Sequence, residues 1–524
     1  MMKIARMVTV VIAIAVCAQV RGFAQGNGPV VQTQAGALRG APAARPNVTV
    51  FKGIPYAAPP VVSLRWRPPQ PAKPWTGVRP ATEFGASCMQ HERKELLPWT
   101  EEFMTHNEVS EDCLFLNVWT PRPARTARLP VLVFIHGGAF TEGAGGIAIY
   151  NGSDLAATGL VVVTINYRLG VFGFFAYPEL TAESEHHSSG NYALLDQIAA
   201  LQWVKQNIAA FGGDPSRVTI WGQSAGAFSV NDLLASPLAA GLFQRAQADS
   251  GIGFAAFPMP DLKSAEEADV KFAEARHAKS LSELRAIPAA DLLSGPQGQA
   301  RFGPIVDGWV LPESPAEMSA KDADNDVPVI TGYQANDGLL FSPQVHALDQ
   351  YEQMAKRQYG GMADEFLRLY PATTDDEARN MMAQSTRDRD RVSMFLWASR
   401  RAGNHHAPVF TYYFDRAIPW PQHPEFGAFH SGELPYFFLN LGVLNRPWEK
   451  VDFSVAKVSA GYLKDFASTG NPNGDHLPRW APVRPGAPAT MEIGVETGEM
   501  PLASGGRLGF WERFLSSPAA HARP

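Results

Sequence analysis

Ser224 lies in Gly222-Gln223-Ser224-Ala225-Gly226, with the apolar run Val218–Trp221 before it and Phe228, Leu233 and Leu234 at helical spacing after it. This reads as a buried strand, a sharp turn and a helix, with a serine at the apex. Backbone on so tight a turn is strained, and the residues two before and two after the serine crowd each other, so glycine fits best at both. The turn lifts the hydroxyl clear of the sheet. The first amides of the new helix then face the space where an oxyanion would form. In a chain with 46 glycines, the pattern alone also fits an ordinary strand-to-helix turn with a serine cap.

A serine nucleophile needs a base, and the base needs a carboxylate to fix its tautomer. Two later loops carry candidates. Asp337 lies in GYQANDGLLF after an apolar run at 327–331, and His430 lies in FGAFHSGELPYFF beyond a run at 409–414. The chain has 13 histidines, and order alone leaves His136, His405, His406 and His423 as competitors. The glycine-rich His136-Gly137-Gly138-Ala139-Phe140 ends the apolar run Val131–Ile135. It is a candidate source of oxyanion donors, because backbone there can approach a substrate closely.

The elements that must position these residues alternate. Phe115–Trp119, Val131–Ile135, Val161–Ile165, Val218–Trp221, Arg245–Ala248, 327–331 and Val409–Phe414 read as strands. Asn191–Ile208 reads as a helix with Leu194, Ile198, Leu201, Val204 and Ile208 on one face. That order predicts an α/β fold, a large mostly parallel sheet with helices on both faces. Residues 262–294 and 347–405 read as helical cap material, and Phe453–Ser468 as a late helix. Residues 30–39 read as a hairpin, residues 88–113 as a charged irregular loop, and the proline-rich 51–60 and 64–75 as extended chain across the surface.

The 524 residues are 45% hydrophobic and 18% charged with a net charge of −6, which gives no support to nucleic-acid binding. Lys3 and Arg6 precede the apolar run Met7–Ala18, and Gly22-Phe23-Ala24 places small residues before a cleavage point, so residues 1–24 read as a secretory signal peptide. The run is too short to span a bilayer, and Val16 before Cys17 argues against a lipoprotein site. Removing Lys3, Arg6 and Arg21 takes the net charge from −6 to −9. Cys88 and Cys113 then remain, and in an exported chain they are expected to pair. Such a crosslink contributes about 3 kcal/mol in the chain-entropy view. No CxxC or HxxxH spacing suggests a metal site, and no cofactor motif is found.

FKGIPYAAPP, EDCLFLNVWTP, PVLVFIHGGAF, VTINYRLGVFGFF, NYALLDQIAALQWVKQNIAAFGGDPSRVTIWGQSAGAFS and GAFHSGELPYFF together resemble the type-B carboxylesterases, the family that includes the cholinesterases. The resemblance runs from about residue 30 to 515 and implies one α/β-hydrolase domain over 25–524, with insertions near 88–113, 252–320 and 340–405. It implies Ser224 as nucleophile, His430 as base in preference to the other histidines, and amide donors at Gly138, Ala139 and Ala225. It implies a serine ester hydrolase working through an acyl-enzyme on a small-molecule ester. A catalytically inactive binding domain, or the same mechanism on amide, lactone or carbamate bonds, is the alternative.

Three positions depart from the family pattern. Asp337 stands where glutamate is usual, Gln223 replaces a glutamate before the nucleophile, and Ala139 replaces the third glycine of the oxyanion loop. The loss of charge at Gln223 weakens the case for a cationic, choline-like substrate. Arg168 with Asp196 and Arg65 with Glu111 resemble the family's ion pairs, and Ser250 resembles a serine beside the triad. Trp99, at a spacing from Cys113 unlike the cholinesterases, is expected to be solvent-exposed.

Overall fold

The computed structural model describes residues 28–517 and 520, apart from 92–94, 122, 124–125, 252–258, 295–301 and 341–344. The expected signal peptide and the centre of the 252–320 insertion therefore lie outside the described residues. Eleven strands form the central sheet: β1 (Ala41–Pro42), β2 (Thr49–Pro55), β3 (Phe115–Thr120), β4 (Leu129–Ile135), β5 (Val161–Ile165), β6 (Gly213–Gln223), β7 (Arg245–Asp249), β8 (Val329–Gln334), β9 (Val409–Phe414), β10 (Ala489–Ile493) and β11 (Thr497–Pro501). Their spatial order is 11-10-9-8-7-6-4-5-3-2-1. The seven strands β4 through β10 run parallel, and antiparallel strands close both edges.

Period-two alternation along β4 explains why the sheet is covered on both sides. Val131, Val133 and Ile135 join one apolar core, whereas Leu132 and Phe134 join another. The first core includes Leu194, Ile198 and Leu201 of helix α1 (Tyr192–Asn207). The second includes Ala460, Leu463 and Phe466 of helix α4 (Lys450–Thr469). All five β4 side chains from Val131 to Ile135 are fully buried, each contributing about 1.5–3 kcal/mol of transfer free energy. A third core, with Tyr351, Phe366 and Trp511, joins the helices of 348–404, among them α3 (Asp375–Asn404), to the C-terminal helix α5 (Gly505–Leu515).

Most expected elements are present, with two corrections. The proline-rich 51–60 does not lie across the surface. Thr49–Pro55 is strand β2, paired with β3, and Phe51 and Ile54 are fully buried. Its prolines exclude helix but not an antiparallel strand that ends at Pro55. A register shift between Phe51 and Ile54 accommodates Gly53 (φ 62°), whose N–H reaches the Asn117 side chain at 3.0 Å. The second correction is at the elbow strand, which starts at Gly213 rather than Val218, because Gly213 pairs with Leu129 ahead of a bulge.

Both expected ion pairs form. Arg168 holds Asp196 through two bonds of 2.7 Å in a fully buried setting, and Arg65 holds Glu111 through two of 2.6 Å. Arg168 precedes helix α1 in the chain, so its pair fixes the loop after β5 to that helix. Cys88 and Cys113 are joined as a disulfide. Among the described residues no helix is long and apolar enough to cross a membrane.

Candidate active site

Loops gather at the carboxyl ends of β4, β6, β7, β8 and β9, the edge where parallel sheets bind ligands. At the end of β6, Gln223 pairs with Asp249 of β7, and the chain turns into helix α2 (Ala225–Ala235). Ser224 sits at the turn with φ 56° and ψ −124°, a conformation costing a non-glycine residue about 1–3 kcal/mol. Its N–H donates to the Asp249 carbonyl at 2.9 Å, which helps hold the strain. The flanking glycines are needed for space. A Cβ on Gly222 would lie 2.1 Å from the Gly226 carbonyl oxygen, and one on Gly226 would lie 2.0 Å from that of Ile135.

The 136–140 loop lies directly against this turn. A Cβ on Gly137 would sit 3.0 Å from the Ser224 Cβ and 2.8 Å from the Gln223 carbonyl oxygen. Gly138, Ala139 and Phe140 all have positive φ (107°, 54° and 61°), so the backbone there is wound in a conformation that glycine adopts most easily. Ala139 keeps it despite carrying a Cβ, and is exposed. Ala225 is the first residue of α2, so its N–H has no helix carbonyl one turn back to bond. The residues whose amides are expected to serve an oxyanion thus belong to a loop whose Gly137 packs on Gln223 and Ser224, and to the first turn after the serine.

Asp337 and His430 meet. His430 Nδ1 donates to Asp337 Oδ1 at 2.5 Å, and both residues are buried. The aspartate's shorter reach is compensated by how closely its loop packs on the histidine loop. The Asn336 N–H donates to the Ala428 carbonyl at 2.9 Å, and the Asn336 side chain lies where a Cβ on Gly427 would be. The Asp337 N–H reaches the Gln334 carbonyl at 3.2 Å, and the Ser250 hydroxyl donates to Gln334 Oε1 at 2.5 Å. Ser250 therefore supports the aspartate loop rather than the histidine.

The other histidines are occupied elsewhere. His136 stacks on Tyr167 with ring centres 4.4 Å apart, and burial pulls it down to about 4. His405 pairs with Asp324, His423 is 3.0 Å from Glu425, and His406 is exposed. Trp99 corrects the sequence reading: it is half-buried, its ring edge-on to His430 at 6.2 Å, with Nε1 donating to the His430 carbonyl at 3.2 Å. The disulfide loop folds back over the site, which spacing to Cys113 could not reveal.

Two buried acids were not singled out from the sequence. Asp249 and Glu433 are both fully buried. Asp249 accepts from Trp221 Nε1 at 2.5 Å and from Gln247 Nε2, and burial is the main cause that pushes it up to about 7. Burial, then the neighbouring Asp249 and Asp337, pushes Glu433 well above the usual carboxylate range. The only signal for Glu433 was an acid set immediately before an apolar run, LPYFF, and for Asp249 an acid ending a short strand.

The carboxylesterase family model matches residues 27–511. The chain is 37% identical over 471 residues to a para-nitrobenzyl esterase of Bacillus subtilis (strain 168), covering 85% of this chain and 90% of that protein. It is 37% identical over 424 residues to a fumonisin B1 esterase of Sphingopyxis macrogoltabida, covering 79% and 75%. It is 32% identical over 539 residues to a human cocaine esterase, covering 95% and 93%. With an α/β-hydrolase sheet beneath that match, the chain belongs to the carboxylesterase family and is a serine carboxylic ester hydrolase.

Proposed function

We propose that Ser224, His430 and Asp337 act as a catalytic triad, with the amides of Gly138, Ala139 and Ala225 as the oxyanion hole. The observation that carries this reading is the His430–Asp337 hydrogen bond of 2.5 Å beside a serine held at φ 56°. Asp337 accepts from Nδ1–H, so Nε2 is the nitrogen that takes the Ser224 proton as Oγ attacks the ester carbonyl. The imidazolium then protonates the departing alcohol. Water, deprotonated at the same nitrogen, attacks the acyl-enzyme and releases the acid. The substrates are small-molecule carboxylic esters without a choline-like cation. A neutral Gln223 beside the serine supports that preference, and a choline ester turned over better than its neutral isostere would overturn it.

The disulfide and the charge and apolar pattern of residues 1–24 support export with removal of that segment. One measurement tests both readings: the intact mass of exported protein before and after an organophosphonate. A chain beginning at Gln25, with one adduct mapped to Ser224, is expected. Ser224→Ala should take no adduct and should lose about 10⁴-fold or more in turnover of a p-nitrophenyl ester while remaining folded. Turnover within tenfold of the parent would end the assignment.

A further inference from the structure

The far side of His430 carries a second contact. Gln223 is 2% exposed, and its Nε2 lies 3.2 Å from His430 Nε2, the nitrogen opposite Asp337. The orientation of the amide is fixed by its other end, because Ser431 Oγ donates to Gln223 Oε1 at 3.1 Å. Trp99 Nε1, which donates to the His430 carbonyl at 3.2 Å, also approaches Ser431 Oγ at 3.4 Å, so the hydroxyl can accept from the indole while it gives its proton to the amide oxygen. With its oxygen on the Ser431 hydroxyl, the amide turns its NH₂ to the imidazole, and with Nδ1–H given to Asp337, Nε2 is an acceptor.

Ser431 holds this contact under strain. Its φ is 78°, in the left-handed region that glycine occupies without cost and other residues enter at roughly 1 kcal/mol. Glycine would fit that backbone better but could not hold Gln223. Strain kept at a site argues for a role other than folding stability.

We propose that Trp99, Ser431 and Gln223 form a neutral positioning relay that holds His430 Nε2 as a hydrogen-bond acceptor. Asp337 fixes the ring from one nitrogen and Gln223 from the other, so the free enzyme rests with the lone pair on the nitrogen that must receive the serine proton. The ionisable groups around the ring are Asp337 from the loop after β8, Glu433 on the histidine's own turn, and Asp249 and Tyr412 behind them at β7 and β9. The elbow contributes Gln223 and Ser224, and the disulfide loop contributes the Trp99 indole.

This inference rests on the triad reading, and two variants separate the two. Gln223→Glu replaces the donor with an anion that favours the protonated ring, so the base form is reached only at higher pH. The acid limb of kcat/KM should move up by about one pH unit, the lower end of the effect of a close opposite charge. Ser431→Gly relieves the left-handed strain and frees the amide. Its Tm should match or exceed the parent's, while kcat falls about tenfold and KM stays within about twofold, because the ring is then held less often in the orientation that can take the serine proton. A residue 223 side chain that did not face Nε2 would leave the limb in place, and a purely structural Ser431 would not lower kcat in a variant that folds as well as the parent. The relay is overturned by an acid limb in Gln223→Glu within 0.2 of the parent's, or by a Ser431→Gly kcat within twofold of it. A parent enzyme that keeps its turnover in Ser224→Ala would instead overturn the triad.

Discussion

Two carboxyl groups are buried beside the same histidine turn, and their surroundings differ in kind. Asp337 reaches His430 Nδ1–H at 2.5 Å, and its Oδ2 lies 3.4 Å from the Gln334 backbone N–H. Neither carboxyl oxygen of Glu433, three residues after the histidine, has a hydrogen-bond partner from another residue among the described residues. Both are acids in a low-dielectric setting, but only Asp337 has hydrogen-bond donors from other residues. Glu433, with burial and two other acids against it, is pushed toward its neutral form. Chemical type and proximity thus do not pick the orienting acid; the donors do.

The sharpest way to break the comparison is at Asp337. Asp337→Asn keeps the size but can accept through oxygen or donate through nitrogen, so it can stabilise the wrong tautomer, and it cannot balance an imidazolium. Turnover near pH 7 should fall about 10⁴-fold. Asp337→Glu keeps the charge and changes only the reach, and should retain more activity than the asparagine variant. A folded Asp337→Asn enzyme with nearly parental kcat would move the orienting acid elsewhere, and Glu433 would be the first residue to examine.

The same contrast marks what a sequence discloses. The elbow was legible because its constraints are local: a strand, two glycines that a neighbouring carbonyl forbids from having a Cβ, and a helix all fall within 20 residues. The parallel core was legible for a similar reason, since strands buried on both faces read as unbroken apolar runs. Relations between distant segments were not. Nothing in residues 88–113 says that Trp99 will stand over His430, because that depends on how the disulfide loop folds back. Likewise, neither Gln223 nor Ser431 announces a hydrogen bond across 208 residues. The buried state of Thr49–Pro55 was hidden because its prolines dominate the local signal, while the pairing with β3 decides the outcome.

Glu433 offers a smaller effect, and the comparison is sharpened by it. If the group is neutral in the working enzyme, replacing it by the similarly shaped neutral amide should change little. Glu433→Gln should keep kcat within about threefold of the parent, with the acid limb of kcat/KM unmoved. A loss as large as that of Asp337→Asn, or a displaced limb, would mean that Glu433 works as a charged group and that the two acids are not different in kind.

Asp249 carries the smallest effect, and it appears in stability rather than in catalysis. Burial lifts its folded-state value to about 7, whereas an unfolded aspartate titrates near 4. Between about pH 4 and 7 the folded protein therefore binds more protons at this site than the unfolded chain, and stability must fall as pH rises through that window. The contribution is fully present below the unfolded value and is lost as pH passes the folded one. Asp249→Asn removes the titration while leaving an oxygen to accept from Trp221 Nε1. The Tm of the variant relative to the parent should therefore rise from pH 4 to pH 7 by about 1–3 °C, since a chain of this size converts each kcal/mol into only a degree or two. Above pH 7 the difference should be flat. A relative Tm that does not change across that window, in thermal melts of both proteins in matched buffers, would mean that Asp249 is not held neutral by its burial. The contrast with Asp337 would then rest on Glu433 alone.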